Sequence, residues 1–172
     1  MSGIALPRAL RKFNVFIDGV GFIGQALEVK LPKVTMETEK YRGAGMIGSV
    51  ALLKGLGDLE MEQTYNGPIR EIVMTFGAER HDAAQIRFMG SYAKEDDGSA
   101  QAVEVVVRGR HNEMDMGDAK AKENGSFKVK TDLSYYKLIV DGEEWLEVDV
   151  VNDVFKVFGK DIQAAHRANV GL

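Results

Sequence analysis

The sequence predicts a mainly β protein, an antiparallel β-barrel or sandwich with one packed α-helix. A single domain over 1–172 carries an extended loop that reaches other subunits, and N- and C-terminal arms. Three observations lead there. Apolar and polar residues alternate over long runs, the two-residue period of a strand. Nineteen glycines against three prolines supply many tight turns. Only one stretch, Ile69, Ile72, Val73 and Phe76, repeats at helical spacing. With 45% hydrophobic and 28% charged residues, 172 residues suffice for one substantial core.

Residues 1–12 read as an arm, because Pro7 interrupts regular structure and Arg8, Arg11 and Lys12 keep it solvated. Phe13 to Asp18 is a short strand, and Asp18-Gly19 suits a tight hairpin turn. Leu27 to Lys30 alternates again and Pro32 ends it, followed by a further alternation over Val34 to Glu39. Glycines then crowd residues 41–57, which read as an extended loop. Loops of that length inside a compact domain are uncommon unless they serve a function. Met46, Ile47, Val50, Leu52 and Leu53 within it need a cover, and another subunit is a natural one.

Leu59 to Tyr65 is a strand with Glu60, Glu62 and Thr64 on one face. The helix is expected over 66–77, opened by Asn66-Gly67-Pro68 and stopped by Gly77. Gln85 to Glu95, with Ile86, Phe88 and Tyr92 on one face, pairs with Gln101 to Asp115 in a long hairpin. In the second strand Val103, Val105 and Val107 face one way, and Glu104, Val106, Arg108 and Arg110 the other. After a polar loop over 116–125, Phe127, Val129, Thr131, Leu133 and Tyr135 share a strand face. Asp141-Gly142 turns the chain into Glu144 to Val151, and a short strand over Val154 to Phe158 follows. The C-terminal tail, 159–172, has room for one or two helical turns.

Little here points to chemistry. A net charge of −4 and a pI near 5.5 argue against a protein that clamps nucleic-acid phosphates. The absence of cysteine excludes disulfides and thiolate metal sites. His81, His111 and His166 lack metal-ligand spacing and read as surface or pocket-edge residues. Asp96-Asp97 and Glu143-Glu144 fall in turns, where solvated acids are the simpler reading. The glycines of Tyr41 to Gly48 lack the strand-to-helix context of a phosphate cradle. No catalytic, cofactor-binding or metal-binding residues are assigned, and no cofactor is expected. Neither a signal peptide nor a membrane span is recognisable, so synthesis in a cytoplasm is the expectation. Self-assembly remains, because long strands with unprotected edges associate and identical subunits can close into rings. Glu60, Glu62 and Glu104 then either line a channel or belong to the solvated outer face.

Collinear blocks along the chain carry a resemblance. They are ALPR at Ala5, NVFIDG at Asn14, LPK at Leu31, EKYRGAGM at Glu39, IRFMGSY at Ile86 and VEVVVRGRHNEMDMGDAKAKE at Val103. The C-terminal block adds SYYKLIVDG at Ser134, then Glu147, Asp149, Val151 and Asn152, VFGKD at Val157 and RANVGL at Arg167. Ala44 departs from the pattern, where relatives often carry a further glycine. The chain resembles the major tail tube proteins of contractile-tailed phages and R-type tailocins. That resemblance implies stacked hexameric rings around a lumen, inside a contractile sheath, through which a genome passes on ejection. It implies as partners the chain itself, a tail sheath protein, a tape measure protein, baseplate or tube initiator and terminator proteins, and DNA in transit without specific binding. The virion tail is the implied location, with the host envelope reached on contraction. Tyr41, Arg42, Gly43, Gly45, Met46, Ile47, Val50 and Leu53 become the ring-stacking loop. Glu60, Glu62 and Glu104, with hairpins 85–111 and 127–140 and strand 57–65, become candidates for the lumen wall. The alternatives are a tailocin or type VI-like injection tube without DNA passage, and a monomeric ligand-binding barrel.

Overall fold

The computed structural model describes residues 3–172, so the first two residues of the expected arm lie outside the described residues. The strands are β1 (Arg8–Ile17), β2 (Val20–Gly21), β3 (Ala26–Lys30), β4 (Met36–Tyr41), β5 (Val50–Leu56) and β6 (Glu60–Tyr65). After helix α1 (Arg70–Thr75) come β7 (Ala84–Lys94), β8 (Ala100–Asp115), β9 (Phe127–Val140), β10 (Glu143–Asp149), β11 (Val154–Val157) and β12 (Lys160–Asp161). Helix α2 (Ala164–Asn169) ends the chain. The fold is mainly β and antiparallel, and ten strands make one sheet, eight of them in the order β12-β11-β10-β9-β8-β7-β1-β2 with β3 and β6 off that path. β6 pairs with the first half of β9 and carries β3, whereas β10 pairs with the second half of β9. β4 and β5 stand apart as a two-stranded sheet.

The turn chemistry read from sequence explains two of the hairpins. Asp18 and Gly19 have φ of 48° and 86°, and Asp141 and Gly142 have 49° and 79°, the left-handed pair of a type I′ turn. Alternation accounts for the core. Val15 and Ile17 of β1, Ile86 and Phe88 of β7, and Val105 and Val107 of β8 point inward. Phe127 and Val129 of β9, with Met61 and Tyr65 of β6, close over them.

Five expectations need correction. β1 already begins at Arg8, so the arm is shorter than 1–12. Residues Arg8 to Leu10 pair with Lys94 to Tyr92, because the long β7–β8 hairpin extends far enough to meet them. Residues 41–57 are not a loop along their length. Met36–Tyr41 and Val50–Leu56 form a hairpin, and Gly55 adjoins a bulge at which Lys54 is the extra residue. The helix spans six residues, not 66–77, and buries Ile72 and the preceding Ile69 while Val73 and Phe76 stay exposed. Pro68 precedes it, Gly77 with φ of 81° follows it, and no side chain caps its start. The β9 face also switches. The register slips between Gly109↔Leu133 and Arg108↔Tyr135, leaving Ser134 as an extra residue. Tyr136 therefore turns inward and Tyr135 outward. Finally, His111 is not a surface or pocket-edge residue but 2% exposed. Beyond the one expected helix, α2 supplies a second that buries none of its residues.

Candidate assembly surfaces

The β4–β5 hairpin gathers every residue expected in the stacking loop. Tyr41 pairs with Val50, and Leu53 sits opposite Thr38. At the tip, the Arg42 Nε donates to the Met46 carbonyl at 3.3 Å, and the Gly43 N–H approaches the Met46 Sδ at 3.0 Å. Gly45 takes the left-handed φ of 82° that closes this turn. The ribbon presents apolar groups on both sides. Tyr41, Val50 and Leu52 share one face with Glu39, and Ala51 and Leu53 share the other with Thr38 and Lys40. Ile47 is fully exposed and Leu53 65% exposed. Lys54 and Glu39 form an exposed salt bridge of 2.9 Å on the hairpin, and neither strand pairs with the main sheet.

Glu60, Glu62 and Glu104 all lie on the face of the main sheet turned away from the core. Cations stand beside Glu62 and Glu104, whereas the direct cross-strand neighbour of Glu60 is another acid. Glu62 is opposite Lys30 on one side and Lys130 on the other. Glu60 faces Asp132, which faces Arg110 in turn. The Arg87 Nε donates to Glu104 at 2.5 Å. Further along, Arg108 lies 4.7 Å from the centroid of the Tyr135 ring. Lys137 bridges Glu144 at 3.2 Å and Glu147 at 3.7 Å. The hydrogen bond to Glu144 holds the Lys137 ammonium above its ordinary pKa, with burial opposing.

Inside the core, Gln63, His111 and Thr131 form a buried polar cluster. Gln63 Nε2 donates to the Thr131 hydroxyl at 3.3 Å, and His111 Nδ1 lies 2.9 Å from the same oxygen. Burial pushes the His111 pKa down to about 4, with the Asp18 charge opposing weakly. His81 meets the Ser134 hydroxyl at 2.9 Å on the surface, where the β9 bulge exposes it. Among the described residues, no group of three or more histidines and acids is placed to hold a metal ion.

Two features escaped the sequence reading. The outer edge of β1 meets β2 only at Phe16 and Ile17, so Arg8 to Asn14 offer an edge with no strand beside it among the described residues. At the far end of the sheet, Phe158 stands in a tight turn with positive φ. Its only sequence signal is the glycine that follows it.

The β4–β5 hairpin thus exposes apolar groups on both faces, and the β1 edge has no strand beside it among the described residues. Residues 7–171 match the family described as Phage tail tube protein FII. The chain belongs to that family. It is 44% identical over 172 residues to the tail tube protein of Escherichia phage P2, covering 98% of this chain and 100% of that one. It is 37% identical over 161 residues to the major tail tube protein of Serratia phage KSP20, covering 92% of each. A solved structure, the six-fold symmetrised baseplate of the anti-feeding prophage, aligns over 83% of this chain and 98% of its own. That alignment has a TM-score of 0.46 at 16% identity. This tail tube protein is therefore a structural protein of the virion tail and not an enzyme.

Proposed function

We propose that the tail tube protein closes into hexameric rings that stack into the hollow inner tube of a contractile tail. One observation supports the reading: among the described residues the β4–β5 hairpin pairs with no other strand, and it leaves Tyr41, Ile47, Val50, Leu52 and Leu53 exposed. An isolated two-stranded hairpin is marginal in water, and its exposed side chains invite a cover. Fully burying one side chain such as Ile47 or Leu53 is worth about 1.5–3 kcal/mol, so a few of them favour a stacking contact. The hairpin reaches the adjacent ring, and the arm preceding β1 and the tail through α2 brace neighbouring subunits. The outward face bearing Glu60, Glu62 and Glu104 lines the lumen. A sheath protein surrounds the tube, a tape measure protein sets its length, and initiator and terminator proteins bound it. DNA passes along the lumen without specific contacts.

A second reading is an injection tube that carries no DNA, and the charge pattern favours it specifically. Cations stand beside Glu62 and Glu104, which weakens the repulsion a DNA conduit would use. Deleting Gly43 to Val50 tests the stacking role. The variant is expected to remain a folded monomer and to form no polymer, and polymers of normal length would remove the hairpin from the stacking contact.

A further inference from the structure

Phe158 occupies a backbone conformation that aromatic side chains avoid. It and Gly159 form the turn between β11 and β12, with φ of 48° and 79°, and Val157 pairs with Lys160 across it. A type I′ turn wants asparagine, aspartate or glycine at its first central position. A bulky residue there is a genuine outlier, and its strain persists where something else requires the side chain. The core does not require it, because Phe158 is 60% exposed. Its ring lies 5.6 Å from that of Trp145, and its N–H donates to the Trp145 carbonyl at 2.9 Å. The turn thus holds an exposed aromatic ring at the β12 end of the sheet, with Val157 and Ile162 exposed nearby.

The opposite end of the same sheet is the bare edge of β1. The two ends differ in charge, although part of each is paired within the chain: Arg11 with Glu95 at one end, and Asp161 with Arg167 and Glu144 and Glu147 with Lys137 at the other. Residues 141–161 hold seven acidic and two basic side chains, whereas residues 3–13 hold three basic ones and no acid. Leu6 and Leu10 lie exposed on the basic side. Arg8 and Lys12 on one side, and Glu143 and Asp153 on the other, remain outside those pairs, so the ends still complement each other and offer apolar surface to match, as a head-to-tail contact between identical subunits requires.

We infer that the acidic β10–β12 end of one subunit packs against the basic β1 edge of a second copy of this chain, with the Phe158 ring as the anchor of that contact. The inference rests on the ring reading above and adds which surfaces meet within a ring. Phe158 is kept at its strained position because the ring is buried only when the neighbour arrives, in the way aromatic anchors dominate other interfaces.

The decisive variant is F158N, which gives the turn its preferred Asn-Gly pair. Relief of backbone strain and loss of the Trp145 contact are of similar size and opposite sign. The melting temperature of the unassembled subunit should therefore stay within about 3 °C of wild type. Wild-type protein, F158N and R8E/K12E are concentrated in parallel and examined by negative-stain electron microscopy and sedimentation, with melting curves confirming folded subunits. Rings or tubes from wild type, with at least a tenfold loss of assembled material in both variants, support the contact. Normal assembly of folded F158N overturns the anchor while leaving the ring reading intact. Normal assembly of R8E/K12E overturns the choice of the β1 edge as its partner. Failure of wild type itself to form rings with tube initiator present refutes the ring reading and this inference with it.

Discussion

Acidification should destabilise the unassembled subunit through His111, and the size follows from its surroundings. The imidazole is 2% exposed, with Nδ1 against the Thr131 hydroxyl at 2.9 Å. In the unfolded chain it takes up a proton below an ordinary pKa of 6.5, whereas burial in the folded subunit lowers that value to about 4. The folded-state value is depressed, so the stability His111 contributes is complete above pH 6.5 and is lost as the pH falls towards 4. The gap between those values corresponds to about 3 kcal/mol. For a domain of this size that is a fall of roughly 6–12 °C in melting temperature. The assay compares melting curves of wild type and His111→Gln at several pH values from 7 to 4. Glutamine cannot titrate but can still hydrogen-bond Thr131, and the carboxylates that titrate in the same range are common to both proteins. The wild-type melting temperature should drop more steeply than that of the variant, with the difference opening below pH 6.5. Parallel curves would show that the histidine is not buried in neutral form.

Gly109→Ala should destabilise the subunit by about 1–3 kcal/mol, read as a lower melting temperature, because a Cβ there would sit 2.0 Å from the Asp132 carbonyl oxygen. An unchanged melting temperature would mean that β8 and β9 do not approach so closely at the bulge. Glu60→Lys should leave folding and assembly intact, since Glu60 is exposed and faces Asp132, yet slow genome ejection from assembled particles. Ejection at the normal rate would take Glu60 off the lumen wall.

Where a local signal dictated the backbone, the fold was legible in the sequence. Asp18-Gly19 and Asp141-Gly142 announce their turns, and the alternation of Val103, Val105 and Val107 reports which side of β8 meets the core. Tertiary effects were not legible. The Ser134 bulge exchanges Tyr135 for Tyr136, and its one clue was Gly109, a glycine inside a strand where another backbone approaches. The β4–β5 pairing was hidden because its glycines look like loop residues, although they serve a tip and a bulge. The helical stripe overstated α1, because Pro68 and Gly77 confine it and only Ile69 and Ile72 reach the core. His111 carried no pattern at all, since its burial depends on Thr131 and Gln63 from other strands. Of the candidate assembly residues, those of the β4–β5 hairpin were readable as apolar side chains among glycines, which the structure leaves exposed. The outward acids were readable by alternation, but their cationic neighbours come from other strands and were not.

The central claim is that the β4–β5 hairpin joins one ring to the next. Electron microscopy of purified wild-type protein beside the Gly43 to Val50 deletion, both with tube initiator supplied, tests it most directly. Hollow tubes from wild type, and from the deletion at most single rings on the initiator, are the predicted result. Tubes of equal length from both proteins would contradict it.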